Sequence, residues 1–174
     1  MCGATHRGFK SHLLRVCPNQ LDADGALDDD ASMRLALAAA HEAGDRGDVP
    51  VGAVALRAGR VLATAGNARE QLGDPTAHAE LLVLRAASAI LGSWRLDGVT
   101  IVVTLEPCAM CAGALVNARV ERLVVGAMDG KAGAAGSRYN LLADPRLNHE
   151  VLVTSGVLAQ ECASVLSAFF AERR

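Results

Sequence analysis

The chain has 174 residues, is 51% hydrophobic and carries a formal net charge of -2. That length suits one domain whose core stands without disulfide support. The near-neutral charge excludes a broadly basic nucleic-acid surface, and aromatics at 3% argue against a sheet that stacks several bases.

In chain order, residues 1–30 mix Gly, Asn and Pro with an acidic cluster, Asp22, Asp24 and Asp28 to Asp30. They show no sustained periodicity and read as a disordered N-terminal extension, with a start nearer Met33 as the alternative. Residues 31–174 form the predicted domain and carry 14 basic and 14 acidic residues. Met33, Leu37, Ala40 and Ala43 recur at helical spacing, and Gly44 and Gly47 end that helix. Residues 51–57 and 60–65 are strand-like runs around Ala58-Gly59, which predicts a hairpin. A loop with Gly73, Asp74 and Pro75 leads to a second helix over 77–91. Residues 99–105 read as a buried strand, 108–119 as a helix with Pro107 at its start, and 122–127 as another buried strand. A Gly-rich loop over 129–137, a short helical piece, a strand at 150–154 and a helix from Gly156 complete the chain. The 33 alanines suit elements packed at close range. Strands alternating with helices after a hairpin predict an α/β protein, a mixed sheet with helices on both faces.

The five cysteines (Cys2, Cys17, Cys108, Cys111, Cys162) are odd in number and unevenly spread. No apolar run reaches the roughly 18 residues of a membrane span, and residues 1–17 lack the apolar stretch of a signal peptide. Reduced thiols in the cytoplasm, without a membrane partner, are the resulting expectation.

His78-Ala79-Glu80 is followed 27 residues later by Pro107-Cys108-Ala109-Met110-Cys111. Two cysteines at i and i+3 share one face of a helix's first turn, and His78 opens the preceding predicted helix. One imidazole and two thiolates suit Zn²⁺. No fourth ligand stands nearby in sequence, which favours a catalytic site with a position left open over a closed structural one. A redox C-x-x-C pair, or Cys162 as a fourth ligand, are the other readings. His41 and His149 read as surface or capping residues. Zinc lowers the pKa of bound water from 15.7 to about 7, and Glu80 is placed to move the proton that a leaving amine needs.

H-x-E followed by P-C-x-x-C is the signature of the zinc nucleobase deaminases. Within them the chain resembles the bacterial tRNA-specific adenosine deaminases, from about Met33 to the C-terminus. The likeness includes Asp48-Val49-Pro50-Val51-Gly52-Ala53-Val54, the Asp74 to Glu80 block, Thr104 to Ala114, Gly133 to Ser137, Leu147-Asn148-His149, Cys162 and Phe169-Phe170. The resemblance implies a three-layer α/β/α cytidine-deaminase-like fold with a five-stranded mixed sheet, a zinc-dependent deaminase domain over 31–174, and a homodimer. It implies hydrolysis at C6 of the wobble adenosine of an arginine tRNA, within the anticodon stem-loop, to give inosine. His78, Cys108 and Cys111 match the zinc ligands, one ion per subunit, and Glu80 the proton shuttle. Asn67 matches a residue that binds the target nucleoside, or else caps a turn. Asp129 matches a contact to the anticodon backbone, or else is a solvated loop residue. Arg119, Arg122, Lys131 and Arg138 are the candidate phosphate contacts, and Phe169-Phe170 either pack under the core or border the pocket.

Overall fold

A computed structural model describes residues 14–16 and 26–173. Most of the expected extension, residues 1–13 and 17–25, lies outside the described residues. The first helix, α1 (Asp29–Asp45), begins four residues before Met33, the first of the periodic residues, and inside the segment assigned to the extension. Its acidic start has a local cause: the Asp28 carboxylate accepts from the Ala31 N–H at 2.7 Å, and Asp29 and Asp30 sit at the electropositive end. Asp29 also forms a paired-donor ion pair with Arg122, at 2.8 and 2.6 Å, which ties the helix to the sheet.

The hairpin forms as expected from β2 (Gly52–Arg57) and β3 (Arg60–Gly66). Ala58 and Gly59 both take positive φ, 50° and 73°, the geometry of a two-residue turn whose twist matches the flanking strands. A single turn, α2 (Arg69–Leu72), and the helix α3 (Ala79–Leu91) follow. Then come β4 (Val99–Leu105), α4 (Ala109–Asn117), β5 (Arg122–Ala127), β6 (Leu152–Ser155) and α5 (Ala159–Ala171). The expected short helix after the Gly-rich loop is absent. Asp144 precedes Pro145, which disfavours helical backbone, and its carboxylate accepts from the Arg146 N–H at 3.0 Å to close a turn.

Strands β2 to β6 form the expected five-stranded mixed sheet, and a three-residue strand, β1 (Leu14–Val16), extends it to six along β3. Pairing is antiparallel from β1 through β4 and parallel from β4 through β6. Side chains alternate between two cores. Ala53, Ala55, Ile101, Val103, Leu123 and Val125 face the cluster that holds Leu82, Val83 and Leu115. Val54, Leu56, Val102 and Val124 face the cluster that holds Met33, Leu37 and Cys162. Cover on both faces explains why the strands read as continuous apolar runs. The parallel crossover from β4 through α4 to β5 brings the N-termini of α3 and α4 to one end of the sheet.

Candidate active site

His78 and Cys108 occupy equivalent places, the N-caps of α3 and α4, both in extended backbone. Neither side chain caps its own helix, although each carbonyl starts one, accepting from Leu82 and Ala112. Both side chains are thereby left for another task. Cys111 lies in the first turn of α4 and is fully buried. The His78 Nδ1 stands 3.5 Å from the Cys111 Sγ and 3.9 Å from the Cys108 Sγ, and the two sulfurs are 3.8 Å apart. A tetrahedron with Zn–S near 2.3 Å and Zn–N near 2.0–2.1 Å has edges of about 3.8 Å (S–S) and about 3.6 Å (S–N). The three donors fit such an ion, and they form the group among the described residues that could hold a metal.

The electrostatics agree with a site that wants a cation. The Cys108 thiol is held down to about 3 by hydrogen bonds from Cys111 and His78, while its closeness to Cys108 and burial push Cys111 far up. Contact with Cys108 raises His78 above its ordinary value. Two helix N-termini converge on these sulfurs and favour negative charge there.

Glu80 is 3% exposed and reaches the Cys111 thiol from the first turn of α3. Burial is the main reason its carboxyl is raised above the carboxylate range. Asn67 is buried at the end of β3, and its Oδ1 accepts from the Ala79 N–H at 2.9 Å, so it caps α3 in place of His78. Asp129 is half-buried after β5, and its Oδ1 accepts from the Lys131 N–H at 2.8 Å. The loop that holds Asp129 reaches the triad through a backbone bridge between Gly133 and Cys108.

Other candidates lie elsewhere. Cys162 is a buried residue of α5, packed on the opposite face of the sheet, so it is no fourth ligand. His149 caps a backbone group, its Nε2 at 2.7 Å from the Val120 carbonyl. Arg119 and Arg122 belong to the far end of α4 and the start of β5. Arg119 donates to the Val116 carbonyl and Asn148, and Arg122 is paired with Asp29. Phe169 packs beside Gly44 with the Arg173 guanidinium 3.6 Å over its ring, while Phe170 is 49% exposed.

Sequence reasoning assigned no role to three buried polar residues. Asp48 accepts from the Glu70 N–H at 2.9 Å and so caps α2, and the Thr104 hydroxyl accepts from Gly52 at 3.1 Å. Burial would push the Glu106 carboxyl up, but bonds from the Ser137 hydroxyl and from the Ser137, Asp129 and Ala135 N–H groups outweigh it and hold it low. The adjacency of Glu106 to Pro107-Cys108 was the available signal.

The MafB19-like deaminase family model matches residues 27–174. The tRNA-specific adenosine deaminase of Bacillus subtilis is 50% identical over 146 residues, spanning 84% of this chain and 91% of the relative. A solved structure from a study of A-to-I editing by tRNA:A34 deaminases is 47% identical, with a TM-score of 0.76 over 78% of this chain and 98% of that one. A guanine deaminase from Bacillus subtilis is 29% identical, with a TM-score of 0.59 over 84% and 94%.

Proposed function

The chain belongs to the MafB19-like deaminase family, and on that premise we propose that it converts the wobble adenosine (position 34) of an arginine tRNA to inosine. The observation that carries this reading is the His78, Cys108 and Cys111 triad with the buried Glu80 carboxyl beside it. Its setting is a chain half identical to a tRNA-specific adenosine deaminase.

His78, Cys108 and Cys111 would hold one Zn²⁺. When bound, the ion acidifies water to a pKa near 7 and so supplies a nucleophile at neutral pH. The reaction adds water at C6, breaks the C6–N bond and releases ammonia. Glu80 takes one proton from water and delivers it to the ring N1, where it stays, then carries the proton of the new C6 hydroxyl to the departing amine as the C6 carbonyl forms. With its Oδ1 engaged by Ala79, Asn67 presents its amide Nδ2 to an acceptor on the nucleoside. Asp129 would meet the anticodon backbone. An unpaired anticodon loop lowers the cost of extruding the base into this site.

The reading includes a homodimer, carried over from the family, and a cytoplasmic setting. Free thiols at Cys108, Cys111 and Cys162 suit a reducing compartment. No helix among the described residues is long and apolar enough to cross a membrane.

The test is to incubate the zinc-loaded protein with an arginine-tRNA anticodon stem-loop bearing adenosine 34, sequence for inosine and assay ammonia. Guanine, cytosine and cytidine form a parallel panel. Inosine at position 34 is the expected result. Release of ammonia from a free base alone would reassign the site to base salvage, and no ammonia from any substrate would leave a zinc-stabilised binding module.

A further inference from the structure

We propose that Glu106 is a positioning residue that locks the 129–137 loop to the metal helix and thereby sets where the RNA backbone meets the site. The inference rests on the tRNA reading above and concerns how that substrate is held. Glu106 is 3% exposed, and a carboxylate so buried is costly unless donors surround it. All four of its donors come from one loop. The Asp129 N–H reaches Oε2 at 2.8 Å, and the Ser137 hydroxyl donates to the same oxygen. The Ala135 and Ser137 N–H groups reach Oε1 at 2.9 and 3.0 Å.

The backbone completes the clamp. Pro107 accepts from the Ala134 N–H at 2.8 Å, and Cys108 is bridged to Gly133. Gly133 has no room for a side chain, since a Cβ there would run into the Glu106 carboxylate. The loop is therefore wrapped around a group two residues before a metal-ligand position. It carries Asp129 and Lys131, and Arg138 follows directly, its N–H donating back to the Gly133 carbonyl at 3.1 Å. Lys131 and Arg138 are exposed and stand outside the ion pairs among the described residues. A cation on a loose loop contacts phosphate at many distances from the reacting base, and one on a clamped loop at a single distance. That difference falls on substrate binding first.

Glu106→Gln tests the clamp. The amide keeps one acceptor but turns an NH2 group toward one pair of donors. With the hairpin substrate, KM should rise about tenfold or more, exceeding any fall in kcat. Zinc content per chain should hold, and amide hydrogen exchange should quicken at Asp129, Ala135 and Ser137 but not in the β4–β5 ladder. Wild-type KM with wild-type exchange at those amides overturns the proposal. So does an equal loss of zinc, kcat and ladder protection, which marks a merely structural role. If Glu106→Gln does not fold, Ser137→Ala removes one donor at a distance from the ligands. A smaller rise in KM is then expected, and an unchanged KM overturns the clamp. If the wild-type protein leaves the hairpin unedited, the function reading fails, and exchange at the three amides alone decides the clamp.

Discussion

Glu80 and Asn67 meet at the first turn of α3, and substitution separates what each contributes. Glu80 lies beside the triad without belonging to it. Glu80→Ala should therefore keep one zinc per chain by elemental analysis while kcat falls by about 10²–10⁴. Full turnover in that variant would remove the proton-shuttle role. Asn67 has two duties, because its Oδ1 caps the Ala79 N–H while its Nδ2 is assigned to substrate. Asn67→Ala should cost about 1 kcal/mol of stability together with activity. Asn67→Asp keeps the acceptor, so thermal denaturation should show a smaller loss while inosine formation still fails. Asp74 sets the turn that leads to His78. Bonds from the Thr76 hydroxyl and N–H hold its carboxyl below its ordinary value of 3.8. A carboxyl with a depressed folded value contributes its full stability above the unfolded value and loses it as pH falls through the folded one. The turn should thus stay closed from neutral pH to about pH 4.5. NMR titration of the Asp74 carboxyl should give a midpoint below 3.8, and a midpoint at or above that value refutes the assignment.

Among the elements, α1 shows what the alanine-rich composition is for. Ala36, Ala40 and Ala43 are fully buried, and the helix lies so close to the sheet that a Cβ on Gly52 would run into the Ala36 carbonyl and stand 2.6 Å from the Ala40 N. Backbone cannot retreat as a flexible side chain does, so Gly52→Ala should destabilise by about 1–3 kcal/mol or more in urea unfolding. A neutral Gly52→Ala would show that the helix floats free of the sheet. Strands β4 and β5 were legible to the residue because apolar β-branched runs between turn signals have few other uses. The start of α1 was not, because Asp28 to Asp30 read as a solvated acidic tract until Arg122, far along the chain, supplies the partner for Asp29. The 140s failed for the converse reason. Their spacing allowed a helix, but the side chain of Asp144 outcompetes helical backbone bonding just before Pro145.

At the scale of the molecule, the cluster of His78, Cys108 and Cys111 was legible because donor type and i, i+3 spacing are local properties. Glu106 was not, since its donors lie 23 to 31 residues away and only the fold brings them together. The fold divides the four candidate phosphate contacts, which sequence alone had grouped. Proximity in sequence grouped Arg119 and Arg122 with Lys131 and Arg138, but the first pair serves internal bonds at the far end of α4. That division has a measurable consequence for RNA binding. Each phosphate neutralised contributes about -0.7 (single strand) to -0.9 (duplex) to the slope of log K against log salt. With Lys131 and Arg138 as the phosphate contacts, the expected slope is near -1.4 to -1.8 per chain for the stem-loop, shallow for an RNA-binding protein. Lys131→Ala should flatten it by about 0.7–0.9, whereas Arg122→Ala should leave the slope unchanged and lower stability through the lost Asp29 pair. Fluorescence anisotropy between about 50 and 200 mM salt measures all three slopes. A wild-type slope steeper than about -4 would mean that basic residues beyond this pair meet the RNA and would overturn the two-contact reading.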